Sequence, residues 1–256
     1  NRGCRFLNPP GGICRVLDKR ACKEELARHG VPVTEMFSEQ IGNAAELSDA
    51  MERHRCYAVF VKPVFCSGAA GVMAYRMNPG REREAAYASC RLEGGELINT
   101  KTLYRTEDSG EIRRLLDAVL SLGAVVERWY PKSAFRGKSY DLRVVWQFGK
   151  AAFMVVRQSR GPVTNLHLNN AALEVERLSL PENTLSEIKG LCSAAMSVFP
   201  ELAVAGIDIL LEKGAMRPRI IEINGQGDLM YQDIFCENRI YQEQVRYMAA
   251  GKALPE

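Results

Sequence analysis

The sequence predicts an α+β chain of two lobes, each built on an antiparallel sheet, and three observations lead there. Strand-like runs come as neighbouring pairs, at residues 57–62 and 72–77, 140–148 and 151–158, and 204–211 and 219–224. Two of the three links, Phe148-Gly149-Lys150 and the turn at Lys213-Gly214, leave no room for the crossover helix that a parallel pair needs. The helix-periodic stretches fall between the pairs instead of within them, which favours α+β lobes over a doubly wound sheet.

The elements follow in order. Asp18 reads as the N-cap of a helix that runs through Leu26 to a stop at Gly30, followed by the extended Val31-Pro32-Val33-Thr34. A second helix covers residues 45–55. The apolar run 57–62 ends at Pro63, and a loop of small residues up to Gly71 leads into the strand 72–77, a hairpin with a long tip. Ile112, Leu115, Leu116, Val119 and Leu120 recur at helical spacing within 111–122, and Gly123 closes that helix. Strands at 124–130, 140–148 and 151–158, a helix at 184–198, strands at 204–211 and 219–224 and a helix at 240–250 complete the reading. The seam is expected near Glu127, giving an N-terminal lobe at 18–126 and a C-terminal lobe at 127–256. The chain starts at Asn1 without a Met, so residues 1–17 are expected to be the remnant of a preceding domain or linker.

Composition narrows the class of partner. With 256 residues, 46% of them hydrophobic and 25% charged, the chain buries a sizeable core without disulfide staples. Its 34 basic and 31 acidic residues are interspersed, so no electrostatic footprint for nucleic acid stands out. No apolar run approaches the ~20 residues of a membrane span, and no signal peptide opens the chain. Eight cysteines lie far apart with no C-x-x-C pair, which argues against a zinc site and for reduced thiols in a cytoplasmic protein.

Three groups of residues could carry chemistry. Asp208 and Glu222 each interrupt an aliphatic run, Ile207-Asp208-Ile209 and Ile221-Glu222-Ile223, so each faces away from its apolar neighbours. If the two strands pair, both carboxylates and the amide of Asn224 share one face and form a hard oxygen set suited to Mg²⁺; the alternative is a solvated strand face. Lys62 ends a strand before Ser67-Gly68-Ala69-Ala70-Gly71, where small side chains would let backbone N–H groups approach phosphate, or would simply make a hairpin tip. Neither a P-loop nor a G-x-G-x-x-G is present. Asp141, Arg143, Arg157 and Thr164-Asn165-Leu166-His167 load the next strands with polar groups, either to grip phosphate oxygens or as exposed salt bridges.

Taken in order, these segments resemble the ATP-grasp superfamily, most closely its ligases of the ribosomal-S6-glutamate-ligase and glutathione-synthetase-like type. The resemblance runs from about Asn8 to Asp228 through Val61-Lys62-Pro63, Ser67 to Val72, Val126 to Trp129, Asp141 to Arg143, Arg157, Thr164 to His167, Gly206 to Asp208 and Glu222 to Asn224. The wording around Glu127 to Lys132, Thr164 to Leu168 and Gly227 to Leu229 is similar to a bacterial branch from which no substrate follows. The resemblance implies an ATP-grasp fold with ATP gripped between two lobes. It further implies that Lys19 and Lys62 meet ATP phosphates under a loop containing Ser67, Gly68 and Gly71. Glu127, with the backbone of Val126, Arg128 and Trp129, would line the adenine edge, and Asp141 joins this cofactor-binding set. Asp208, Glu222 and Asn224 would hold Mg²⁺, or Mn²⁺ in its place, with Arg143, Arg157 and Asn165 as the catalytic groups near the γ-phosphate and the acyl substrate. The implied reaction joins a small-molecule or peptide carboxylate to an amine or thiol through an acyl phosphate. A non-catalytic ATP-binding scaffold is the competing reading. Three departures bear on the choice: Val163 replaces a common Arg, Asn169-Asn170 replaces Gly-Gly, and Asn224-Gly-Gln-Gly-Asp228 places an extra acid beside the metal set.

Overall fold

Side-chain caps decide where the helices open. The fold is that of a computed structural model, which describes residues 6–80, 82–226, 235 and 237–250. A proline, which needs no backbone N–H at this position, starts α1 (Pro10–Leu17). Asp18, Asn43 and Asp108 each accept the N–H of the third residue on, opening α2 (Lys19–Arg28), α3 (Ala44–Arg53) and α4 (Ser109–Ser121). Later in the chain come α5 (Glu182–Ser197) and α6 (Arg239–Ala249).

Two antiparallel sheets organise these helices. The first contains β1 (Ala58–Pro63), β2 (Met73–Met77), β3 (Glu84–Glu93), β4 (Glu96–Thr106) and β5 (Ala124–Arg128), in the order β4-β3-β2-β1-β5. The second contains β6 (Ala134–Phe135), β7 (Lys138–Gln147), β8 (Lys150–Ser159), β9 (Ala171–Glu174), β10 (Val204–Leu211) and β11 (Pro218–Asn224). Its order is β11-β10-β7-β8-β9, with β6 on β7. All three predicted hairpins are present. The β3–β4 hairpin was not legible as strands, although Gly94 and Gly95, at φ 58° and 88°, make the two-residue turn that such a ribbon requires.

Each sheet has its own core. Val59, Val61, Met73, Leu115, Leu116 and Val126 pack the first with α3 and α4. Leu142, Ile207 and Ile220 pack the second with α5, and Val16, Cys22 and Leu26 bring α1 and α2 into the same cluster. Residues 10–28 therefore pack with the second sheet, whereas a division by chain order puts 1–17 outside both lobes and 18–28 with the first. Buried Asn8 ties this segment down, donating to the carbonyls of Val204 (2.7 Å) and Gly225 (2.8 Å) and accepting from the Val204 N–H.

Residues 32–37 stitch the sheets together. The Thr34 N–H donates to Ile220 O and the Ile220 N–H to Pro32 O, both at 2.9 Å, on β11. The Phe37 N–H donates to Val126 O at 2.9 Å and the Arg128 N–H to Glu35 O at 2.8 Å, on β5. Thus one edge of each sheet is covered by the same segment. No described helix is long and apolar enough to cross a membrane. The six described cysteines are free thiols; Cys4 and Cys236 lie outside the described residues.

Candidate active site

The strongest sequence expectation concerned register, and the pairing of β10 with β11 tests it directly. Asp208 stands opposite Glu222 and Gly206 opposite Asn224, with a bulge just after Asp208. Side chains at directly opposed positions share a face, so the two carboxylates meet at the floor of a cleft between the sheets. The Asn224 amide nitrogen donates to Glu222 Oε1 at 3.2 Å, which keeps the amide beside that carboxylate.

Cations surround the pair. Arg143, opposite Asp208 on β7, brings Nε to 2.5 Å from Asp208 Oδ1, and Arg157 on β8 brings a terminal nitrogen to 3.0 Å from Oδ2. Lys19, at the start of α2, donates to Cys66 O at 2.5 Å and lies 3.9 Å from Glu222. Burial works against the charge on Glu222, but Lys19, Lys62 and Arg143 outweigh it and hold the carboxyl below its ordinary value. At Asp208 burial prevails over Arg143 and Arg157, and the carboxyl is pushed up.

A second network lies beside this floor and joins the expected Lys62 and Glu127 to Lys23 and Thr34, which the sequence reading did not single out. Glu127 on β5 is 2% exposed and is shared between Lys23 (2.7 Å) and Lys62 (2.9 Å), while the Thr34 hydroxyl donates to the same carboxylate. Burial opposes the Glu127 charge, yet the two ammonium groups win and hold its pKa at about 2. Burial also lowers Lys23 to about 8 despite Glu127. Lys23 follows Lys19 by four residues, so both project from one face of α2; that spacing was the available signal. A third cluster links Lys132, Asp141, Thr164 and Arg157. Lys132 Nζ lies 2.7 Å from the Thr164 hydroxyl and 3.2 Å from Asp141, and Arg157 Nε donates to Asp141 at 2.8 Å. The Thr164 hydroxyl also donates to Asp141.

The loop between β1 and β2 covers this floor. Gly68, Ala69 and Gly71 all have positive φ, which residues without bulky side chains adopt at least cost. Buried Ser89 on β3 pins the loop, donating to Ala69 O at 2.6 Å and accepting from the Val72 N–H at 2.9 Å. The Gly71 N–H donates to Asn99 at 2.9 Å.

The cleft brings together Lys19, Lys62, Ser67, Glu127, Arg128, Asp141, Arg157, Asn165, Asp208 and Glu222. Arg143 stands behind Asp208, and Asn224 faces an adjoining hollow that Lys19, Ser67 and Glu222 also line. Val126 is packed in the first core, and Trp129 sits against Phe60 with ring centroids 5.3 Å apart. The backbone of this stretch is also engaged: Val126 O and the Arg128 N–H bond residues 35–37, and the Trp129 N–H donates to Ala58 O. Thr34, Glu127, Arg128 and Tyr130 line the cleft at this stretch. Asp228, the extra acid, lies outside the described residues.

The residues fit a hard divalent cation. The Asn224 amide nitrogen is turned to Glu222 and Gly206 O, which leaves its oxygen for a metal, while Asp208 is held in the same place by its ion pairs with Arg143 and Arg157. Two carboxylates and an amide oxygen suit Mg²⁺ or Mn²⁺; among the described residues no third His, Cys, Asp or Glu joins them. Across the floor, Lys19, Lys23, Lys62, Lys132, Arg143 and Arg157 face four carboxylates, an excess of positive charge suited to a polyanion.

No protein-family model matches the chain, and no curated protein does. Among solved structures, the macrocyclase MdnC of Microcystis aeruginosa MRC, solved with the precursor peptide MdnA, has a TM-score of 0.58 at 11% identity, over 96% of this chain and 63% of that one. D-cycloserine synthetase DcsG has a TM-score of 0.56 at 16% identity, over 90% of this chain and 70% of that one. Biotin carboxylase from Campylobacter jejuni, solved as a β,γ-ATP complex, has 0.57 at 15% identity, over 99% of this chain and 50% of that one. The chain therefore spans between half and 70% of the length of these proteins. At such identities the likeness is one of fold. Two antiparallel sheets with a cleft between them, together with the likeness to these structures over most of the chain, give this chain the ATP-grasp fold.

Proposed function

We propose that the chain binds ATP with a divalent cation in this cleft and uses it to join a carboxylate to an amine or thiol through an acyl phosphate. The observation that carries the reading is the convergence of Lys19, Lys62, Arg143 and Arg157 on the opposed Asp208–Glu222 pair beneath a pinned loop of small residues. Phosphoryl transfer asks a protein mainly for positioning and charge compensation, and no covalent nucleophile is needed. Lys19 and Lys62 are point charges for phosphate oxygens, whereas the planar guanidinium of Arg157, which lines the cleft, can follow charge as it develops on the transferred group. Asp208, Glu222 and Asn224 would hold the metal, which when bound neutralises phosphate charge. The loop above them excludes water, so each of these interactions acts in a medium of low dielectric.

Calorimetry with Mg-ATP and release of ADP test the reading. Lys62→Ala should weaken nucleotide binding by about 10-fold, since one charge-assisted contact disappears. Asp208→Asn should lower ADP release by at least ~100-fold in the presence of carboxylate and amine mixtures. ATP binding without ADP release under any mixture would favour the scaffold reading, for which the double grip of Arg143 and Arg157 on Asp208 is the supporting observation. No binding of Mg-ATP by the wild-type chain would end both.

A further inference from the structure

The cleft continues beyond its own walls. Lys132 and Pro162 line it and also line a second, shallower hollow. Tyr87, Arg160 and Gly161 are shared between that hollow and a third. Through these shared walls the three follow one another outward along the seam as a groove, to Thr102 and Leu103 of β4 and Ala171 of β9.

Its charge is one-sided. Arg76 and Lys213 line the middle hollow, Arg105 and Lys138 the outer one, and Arg160 both; no carboxylate lines either. Of these five cations only Arg105 forms an ion pair among the described residues, with Glu107. The other four meet no described carboxylate as an ion pair. The groove also ends at two sheet edges. β4 and β9 are terminal in their sheets, and no further described strand covers their outer sides. Residues 100–103 bulge out of the β3–β4 register there, and among the described residues the Asn169 and Thr100 side chains reach the carbonyls of Lys101 and Thr102.

We propose that this groove binds an acidic, extended segment of a peptide. A bare strand edge offers backbone groups to an extended chain, and flanking cations select acidic side chains. A nucleic acid would use the positive charge but not the edges. It would also need aromatic faces to stack on, and Trp129 and Tyr87 instead stand edge-to-face at 83° with centroids 6.3 Å apart. Because the groove opens into the cleft at Lys132, the bound segment would bring a carboxylate toward the acid pair. That last step rests on the ligase reading, whereas binding does not.

Fluorescence anisotropy with a fluorescein-labelled decaglutamate peptide tests the groove, in low and in moderate salt. The expected result is saturable binding that weakens with salt and falls by at least about 10-fold in a Lys138→Glu/Arg160→Glu double variant whose melting temperature is unchanged. If that variant melts early, Lys213→Glu supplies the charge reversal instead. The proposal is overturned if decaglutamate does not bind, if charge reversal leaves its affinity unchanged, or if a single-stranded RNA decamer binds more tightly than the peptide. Mg-ATP thermal shifts run in parallel separate the two ideas: their absence counts against the ligase reading and leaves the peptide result intact.

Discussion

Replacing Glu127 by Gln removes one charge from a site in which two ammonium groups depend on it. The magnitude follows from the position of its titration. Lys23 and Lys62, at 2.7 and 2.9 Å, hold the carboxyl at about 2 instead of 4.5. At about 1.4 kcal/mol per pKa unit, that shift corresponds to roughly 3 kcal/mol. Breaking a buried ion pair on one side costs about 3–5 kcal/mol, which agrees. For a chain of this size the loss should lower the melting temperature by about 6–12 °C at pH 7. The pH dependence adds a signature. The folded-state pKa lies below the unfolded one, so this stabilisation is fully present above about 4.5 and is lost as pH falls toward 2. Thermal or urea denaturation from pH 7 to 3 should therefore show a steep acid decline in the wild type and a shallower one in Glu127→Gln. A melting temperature within about 2 °C of wild type, or equal acid slopes, would refute the assignment of Glu127 as the shared counter-ion.

Two further outcomes are expected. Gly71 has φ +65°, and a Cβ there would stand 2.9 Å from Pro63 Cγ, so Gly71→Ala should destabilise by about 1–3 kcal/mol and speed proteolytic nicking of the loop. Gly80, at φ +89° with open space around it, is the control; an equal loss in Gly80→Ala would remove the Pro63 contact from the account. Thr164→Val deletes the hydroxyl that joins Lys132 to Asp141 and should cost about 1–3 kcal/mol in urea denaturation, a loss under about 0.5 kcal/mol being incompatible with a buried, satisfied network.

The floor of the site was legible because strand alternation is a strict code. An acid set between two isoleucines on each of two adjacent strands has few arrangements open to it, and the opposition of Asp208 to Glu222 follows. The small-residue loop and the α4 helix were legible for similar local reasons. Lys23 and Lys132 were not, since a charge buried between lobes appears in sequence as an ordinary basic residue on a helix or after a proline. The β3–β4 hairpin escaped because β4 is largely exposed, so its residues carry no apolar alternation to read. Likewise, nothing local to this stretch reveals that the Val126 carbonyl and the Arg128 and Trp129 N–H groups are bonded to residues 35–37 and Ala58.

Residues 32–37 act on the two sheets as the spine of a book acts on its covers. Hydrogen bonds to Ile220 on one side and to Val126 and Arg128 on the other leave no freedom to gape at that margin, and the Lys23–Glu127 contact spans it as well. Any widening of the interior must therefore happen at the fore-edge, where β4 and β9 lie. Whatever enters or leaves does so from there or beneath the loop pinned by Ser89.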